Sequence, residues 1–306
     1  MKSIREQFGE TLAEVAEKNK KVLALTCDLQ SACKLNKFVR KFPRRFFEVG
    51  IAEANGIGIA AGLAMAGYRP FIASFASFIT GKNIEIRISI SYNMAPVVIV
   101  GTHGGLIGPD GATQSALQDI SVMRSVPNFK IFQPCSDIET KQIVEYAAKD
   151  NSPTYIRISR NVVPKFLSSN YKFYPGKNNF IRKGSKFAIV SSGPMVYNCF
   201  KALEHFENKS LFSLVNLSSI RPLNEKFIYN LAKNHKAIIT VEDHTTEGGL
   251  GSIVSENLSH LKTKIPIFML GLKNKYIESD SPTNLEEHYQ LNSSGIAKYI
   301  KKKIKK

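Results

Sequence analysis

Short apolar runs rich in β-branched residues alternate with helix-patterned segments along almost the whole chain. No other feature constrains the fold as much. Ile4, Phe8, Leu12, Val15 and Ala16 fall at helical spacing within residues 3–18, and VLALTCDL follows as a short buried strand. After a basic loop to about residue 45, FFEVG reads as a strand edge and AEANGIGIAAGLAMAG as a closely packed helix. RPFIASFAS and APVVIVGT read as strands on either side of a helix, KNIEIRISISYN. SALQDISVMRSV (helix), FKIFQP (strand), SDIETKQIVEYAAKD (helix, capped by Ser136) and PTYIRIS (strand) complete the first half. Strands separated by helices imply an α/β fold, a parallel sheet covered on both faces.

A polar stretch with proline and glycine, NVVPKFLSSNYKFYPGKNNFIRKGS, interrupts the pattern at about 161–185. Beyond it, FAIVSSG, LFSLVNL, AIITVED and IPIFMLGL read as strands, and MVYNCFKALEHF, EKFIYNLAKNH and GLGSIVSENLSHL as helices. The expected organisation is a first α/β domain over 1–165, a linker over 166–185 and a smaller α/β domain over 186–306. A chain of 306 residues is long enough for two cores.

Hydrophobic residues at 43% and charged residues at 22% describe a globular chain. No apolar run approaches the roughly 20 residues of a membrane span, and the charged, helix-patterned start is unlike a secretory signal. A cytoplasmic protein without a membrane partner is the expectation. Cys27, Cys33, Cys135 and Cys199 form no CxxC pair and no zinc-ligand spacing, so free thiols are expected. The net charge of +17 is concentrated in KNKK, RKFPRR and KYIKKKIKK. No nucleic-acid-binding motif accompanies these runs, and they read as solvated surface.

In open α/β sheets ligands gather beyond the carboxyl ends of the strands. Three such loops are chemically loaded: CDLQSA, SFASF and THGGLIGPDGATQ. Glu53 follows a further strand end and stands alone among apolar and very small residues in FEVGIAEANGIGIAAGLAM. Burying an acid there is costly unless the charge is paired or used. Read locally, Glu53 could cap its own helix through backbone N–H groups.

FFEVGIAEANGIGIAAGLAMAGYRPFIASFASF, VGTHGGLIGPDGATQSALQDISVMRSVPNFKIFQP and SPTYIRISR, in this order, resemble the pyrimidine-binding domain of transketolases. TVEDHTTEGGLGS resembles the small final domain of transketolases and of deoxyxylulose-phosphate synthases. The resemblance covers nearly the whole chain. It implies a parallel-sheet, pyrimidine-type domain that binds thiamine diphosphate, followed by the smaller C-terminal domain. No GDG motif for diphosphate and metal occurs. The resemblance is therefore to the C-terminal subunit of a split transketolase. The implied partner is an N-terminal subunit that carries the diphosphate-binding domain and holds most of the Mg²⁺ (or Ca²⁺/Mn²⁺), in an α2β2 assembly.

Within that resemblance Glu53 is the catalytic acid at N1′ of the aminopyrimidine, where a dry pocket favours proton exchange. Phe75 and Phe78 correspond to the aromatic wall around that ring, and Phe71 reads as core. Asp28 and Ser31 in CDLQSA lie where further cofactor contacts are expected. His103, Asp110, Gln114, Arg160 and Arg5 correspond to substrate-binding positions. The arginines suit a sugar phosphate because the guanidinium fork donates two parallel bonds. An ordinary surface role stays open for Arg160 and for Arg5.

The family pattern DGxTH reads DGATQ here, so Gln114 replaces a histidine. Glutamine hydrogen-bonds a sugar oxygen but does not titrate near neutral pH. Transfer of a two-carbon ketol unit from a ketose phosphate to an aldose is the implied activity, with an unusual sugar suggested by Gln114. Two other readings remain: the β-subunit of a 2-oxo-acid dehydrogenase E1 component, and a non-catalytic scaffold partner.

Overall fold

The computed structural model describes residues 2–260 and 264–305. Leu261, which closes the pattern GLGSIVSENLSHL, and Lys306, which ends the lysine-rich tail, lie outside the described residues. Among the described residues there are twelve strands: β1 (Val22–Thr26), β2 (Phe46–Glu48), β3 (Arg69–Phe75), β4 (Val98–Thr102), β5 (Lys130–Phe132), β6 (Thr154–Ile158), β7 (Asn179–Arg182), β8 (Phe187–Ser191), β9 (Phe212–Asn216), β10 (Ser219–Arg221), β11 (Ala237–Thr245) and β12 (Ile267–Leu272).

They form two sheets, one ordered β10-β5-β6-β4-β3-β1-β2 and the other β12-β11-β8-β9-β7. Every pairing in the first is parallel except β10 against β5, and every pairing in the second except β7 against β9. The mostly parallel α/β architecture is thus the one expected from the alternating pattern.

The two antiparallel edges were not expected. Strand β7 lies inside the stretch 166–185 read as linker, and it completes the second sheet. Strand β10 comes from the second half of the chain yet pairs with the first sheet, where Ser219 stands opposite Phe132. Three- and four-residue strands carry too few residues for a period to be legible.

Three helical readings also shift. A helix, Asn36–Lys41, interrupts the basic loop. KNIEIRISISYN becomes a short helix, Asn83–Glu85, continued by a π-helical stretch, Ile86–Tyr92. The lysine-rich ending forms a helix, Ser293–Ile304, which buries Ile296, Ala297 and Ile300 and leaves its lysines outside. That division is the ordinary one for an amphipathic helix.

Two elements position the candidate site. The helix Ile4–Lys18 buries Ile4, Phe8, Leu12 and Ala16 at helical spacing. It starts at a capping box in which Ser3 accepts from the Glu6 N–H and Glu6 accepts from the Ser3 N–H. A cap of this kind is worth about 1 kcal/mol, and it fixes where Arg5 begins. The helix Glu53–Met65 packs closely on β3. A Cβ on Gly56 would lie 3.0 Å from Ile72 Cδ1, so glycine is what permits this approach.

Candidate active site

Strands β1, β3, β4 and β6 run parallel in register, with Thr26 beside Ala73, Phe75 beside Thr102, and Thr102 beside Ile158. Their carboxyl ends therefore open on one edge. Phe75, His103 and Arg160 all lie at or just past these ends.

Glu53 is the first residue of its helix and only 7% exposed. Its Oε1 accepts a 2.9 Å hydrogen bond from Ser74 Oγ, on the neighbouring strand β3. Among the described residues the acid is held by a side chain and not by the N–H groups of its own helix. Burial, and next the nearby Glu53 charge, push the Cys27 thiol up to about 12. All four cysteines are buried free thiols.

The residue after Ser74 begins an aromatic wall. Phe75 and Phe78 stack with centroids 5.2 Å apart and planes 18° from parallel. The His103 ring lies 3.8 Å from the Phe75 centroid on a tilt of 33°. Both phenylalanines are half-buried, whereas Phe71 is fully buried in the core. Ser77, between them, donates to the carbonyl of Gln114 at 2.9 Å and so ties this wall to the DGATQ loop.

His103 is buried and adopts a left-handed backbone, φ +58°, at a cost of about 1–3 kcal/mol for a residue with a Cβ. Arg5 Nη1 lies 3.0 Å from His103 Nε2, and Thr102 Oγ1 lies 2.9 Å from Nδ1. A guanidinium only donates, so Nε2 accepts and the ring proton sits on Nδ1, directed at Thr102. Thr102 in turn donates to the Ser74 carbonyl at 3.1 Å. The chain Arg5–His103–Thr102 therefore ends on the residue that holds Glu53. Burial, reinforced by Arg5 and Arg160, lowers the His103 pKa to about 3, so the ring is neutral.

Arg5 also donates to the Ala32 carbonyl at 2.8 Å. Arg160 pairs with Asp110, and each side chain is about one-third exposed. Arg5, His103, Arg160 and Asp110 thus form one polar cluster beside the aromatic wall. Gln114 is half-buried, and its Oε1 accepts from Thr113 Oγ1.

Asp28 and Ser31 stay outside the cluster's hydrogen bonds. Asp28, exposed and also left-handed at φ +59°, bonds Glu48 through its N–H at 2.6 Å. Ser31, likewise exposed, donates to Asn36 at 3.3 Å.

A clasp between the two domains fixes the loop behind this cluster, and sequence reasoning did not find it. Arg157 is 1% exposed. Its Nε donates to both oxygens of Asp119 at 3.0 Å, its Nη1 to Asp243 Oδ1 at 2.8 Å, and its Nη2 to the Ala116 carbonyl at 3.1 Å. Tyr155 Oη adds a 2.7 Å bond to Asp119, and Thr245 N–H donates to the Leu117 carbonyl at 2.9 Å. The two glycines after His103 make room for it. A Cβ on Gly104 would lie 2.7 Å from Arg157 Nε, and one on Gly105, at φ +88°, would lie 2.0 Å from Asp243 Oδ2. The available signal was an arginine in the otherwise apolar strand TYIRI and an acid pair, Glu242 and Asp243, in a strand.

Residues 1–165 match the family described as "Transketolase, pyrimidine binding domain", and residues 176–296 match "Transketolase, C-terminal domain". The chain belongs to the transketolase family. Among its relatives, one of the subunits of the apulose-4-phosphate transketolase of Phocaeicola vulgatus is 33% identical over 100% of this chain and 99% of its own length. The 1-deoxy-D-xylulose-5-phosphate synthase of Caldanaerobacter subterraneus subsp. tengcongensis is 32% identical over 99% of this chain and 49% of the enzyme. Among solved structures, one titled "Split gene transketolase, inactive beta4 tetramer" matches with a TM-score of 0.90 and 34% identity, over 98% of this chain and 97% of the other. The family supports a thiamine-diphosphate-dependent role, and the split relatives imply a separate partner subunit. No described helix is long and apolar enough to cross a membrane.

The residues present fit half of a thiamine diphosphate site. A buried carboxyl meets a ring nitrogen well, and the half-buried Phe75–Phe78 pair offers an aromatic face. Among the described residues no three His, Cys, Asp or Glu side chains gather into a metal site.

Proposed function

We propose that this chain is the pyrimidine-side subunit of a split transketolase, moving a two-carbon ketol unit from a ketose phosphate to an aldose acceptor. The buried Glu53 carboxyl, held by Ser74 beside the Phe75–Phe78 wall, carries this reading. Thiamine diphosphate, when bound, supplies the acidic carbon centre and the electron sink for the transfer. Glu53 holds a proton at N1′ of its aminopyrimidine, and Phe75 and Phe78 orient that ring. Arg160 and Arg5 bind the sugar phosphate. His103, neutral and anchored between Thr102 and Arg5, lines the substrate side and orients the Arg5 guanidinium, while Asp110 and Gln114 bond sugar hydroxyls. Asp28 and Ser31 complete the cofactor's surroundings from the exposed loop.

The partner is an N-terminal subunit that brings the diphosphate site and its Mg²⁺ into an α2β2 enzyme in the cytoplasm. Support comes from the outer face of the helix Glu53–Met65, where Gly58, Gly62 and Met65 are open, and from Ile51 just before it, which is 84% exposed. The neighbouring stretch leaves Ile84, Ile88 and Tyr92 exposed, Tyr92 at 85%. An apolar helix face without a cover is unusual on a chain that works alone.

The test is Glu53→Ala in the assembled two-subunit enzyme, assayed for ketol transfer and for 2-oxo-acid decarboxylation in parallel. Loss of ketol transfer by about 100-fold or more is expected, since positioned proton transfer contributes at least that much. Unchanged transfer makes the chain a scaffold, and decarboxylation dependent on Glu53 moves it to the 2-oxo-acid enzymes.

A further inference from the structure

Past Arg160, between the two domains, lies a cleft of about 480 Å³ to which ketol transfer assigns no role. Its size is that of a small-molecule site. Arg160, Asn161 and Val162 line it from the first half of the chain, and Tyr197, Asn198 and Glu286 from the second.

Glu286 is the organising group. Its Oε1 accepts from Asn161 Nδ2 at 3.2 Å and its Oε2 from Asn198 Nδ2 at 2.9 Å, so amides from both domains hold it in place. The other end of the Asn161 amide, Oδ1, is buried and makes no hydrogen bond among the described residues. An amide oxygen left bare in this way is costly, and a small outward turn of the Asn161 side chain to a ligand donor would relieve it. Burial raises the Glu286 pKa to about 6, which still leaves a carboxylate at neutral pH.

These groups define the ligand's chemistry. Two acceptors, Glu286 and Asn161 Oδ1, require donors. Among the described residues Arg160 is the one cation in the lining, and Glu286 opposes a second negative charge further in. The Tyr197 ring and the exposed Val162 supply flat and apolar cover. A neutral group with adjacent hydroxyls and a flat portion satisfies all of these conditions. It would be joined to whatever phosphate sits on Arg160.

We infer that the cleft receives the nucleoside of a nucleotide-linked sugar, whose vicinal hydroxyls face Glu286 and Asn161. A carboxylate taking a ribose diol is a recurrent solution for nucleosides. The inference deepens the proposed function and rests on its assignment of Arg160 to the substrate phosphate. The sugar handled by this enzyme is then a phosphate diester or diphosphate, not a simple monoester.

Calorimetric titration of the full chain tests this with two probes, ribose 5-phosphate and ADP-ribose, which is the same aldose phosphate extended by AMP. ADP-ribose is expected to bind at least about tenfold more tightly, a difference of 1.4 kcal/mol. Val162→Trp, which fills the cleft mouth from an exposed position, is expected to bring ADP-ribose down to the ribose 5-phosphate level. Glu286→Gln, which keeps the size and removes the charge, is expected to weaken ADP-ribose selectively. Equal affinity for the two probes, or binding of neither, overturns the proposal, because Arg160 and the cleft both lie within this chain. Adenosine binding as tightly as ADP-ribose overturns the linkage to the substrate. None of these results depends on Glu53, so ketol transfer is judged separately.

Discussion

Arg5 reaches across 98 residues of sequence to His103, Nη1 to Nε2 at 3.0 Å, and thereby fixes which ring nitrogen carries the proton. The imidazole cannot act as a proton shuttle near neutral pH in this setting. Its pKa of about 3 lies below the ordinary 6.5. Between those values the unfolded chain binds the extra proton and the folded one does not. The His103 contribution to stability is therefore complete above pH 6.5 and is lost as pH falls toward 3. Histidine NMR should show a neutral Nδ1–H ring at pH 5–8, and Arg5→Gln should raise the titration midpoint while leaving it under 6.5. A wild-type ring that titrates near 6.5 rules out this arrangement.

Ser74→Ala removes the hydroxyl from Glu53 and leaves a buried carboxyl oxygen without its partner. The expected destabilisation is about 1–3 kcal/mol in denaturant unfolding, with a fall in ketol transfer smaller than that of Glu53→Ala. Equal stability and full activity would mean that the hydroxyl is dispensable to the acid.

Arg157→Met strips the cation from between Asp119 and Asp243 and leaves two buried carboxylates facing each other. The expected cost is about 3–5 kcal/mol. Arg157→Lys should retain part of this stability, because it keeps the charge and loses the fork. A Met variant as stable as the wild type shows that the clasp does not hold the domains.

Gly105→Ala places a methyl group into Asp243 from a left-handed backbone. At least about 1–2 kcal/mol is expected from the backbone alone. Thermal unfolding of this variant beside Gly58→Ala, where nothing lies within 4 Å, separates the clasp from a general effect of removing glycine.

Glu242 accepts from Leu250 N–H at 2.6 Å and Gly251 N–H at 2.9 Å, yet burial raises its pKa from 4.5 to about 8. The folded chain keeps a proton there that the unfolded chain releases, so its contribution declines as pH rises from 4.5 to 8. The Tm of the wild type minus that of Glu242→Gln should shrink between pH 5 and pH 8. A constant difference would show Glu242 ionised throughout.

The acid and its aromatic neighbours were legible because each sits within a continuous motif: Glu53 at a helix start after a strand, Phe75 and Phe78 at a strand end. The alternation of strands and helices was legible for the same reason, since each element carries its own period. Arg157, Asp119 and Asp243 were not. Asp119 lies 38 residues before Arg157 and Asp243 lies 86 after it, and the pair with Asp243 forms only once the two domains have packed. Gly104 and Gly105 carry no local sign of their constraint, which is the space taken by Arg157 and by Asp243 of the second domain. Helix Asn36–Lys41 escaped notice because Leu35 caps it without a side-chain hydrogen bond.

Strand β10 carries a consequence for any attempt to divide this chain. The first sheet borrows its last member from beyond residue 218, and Gln133 N–H is bonded to the Ser218 carbonyl at 2.9 Å. A fragment ending near residue 165 would leave β5 as a raw margin, its amides free to zip onto another copy. Such a fragment should precipitate, whereas co-expression with the remainder should restore a soluble pair.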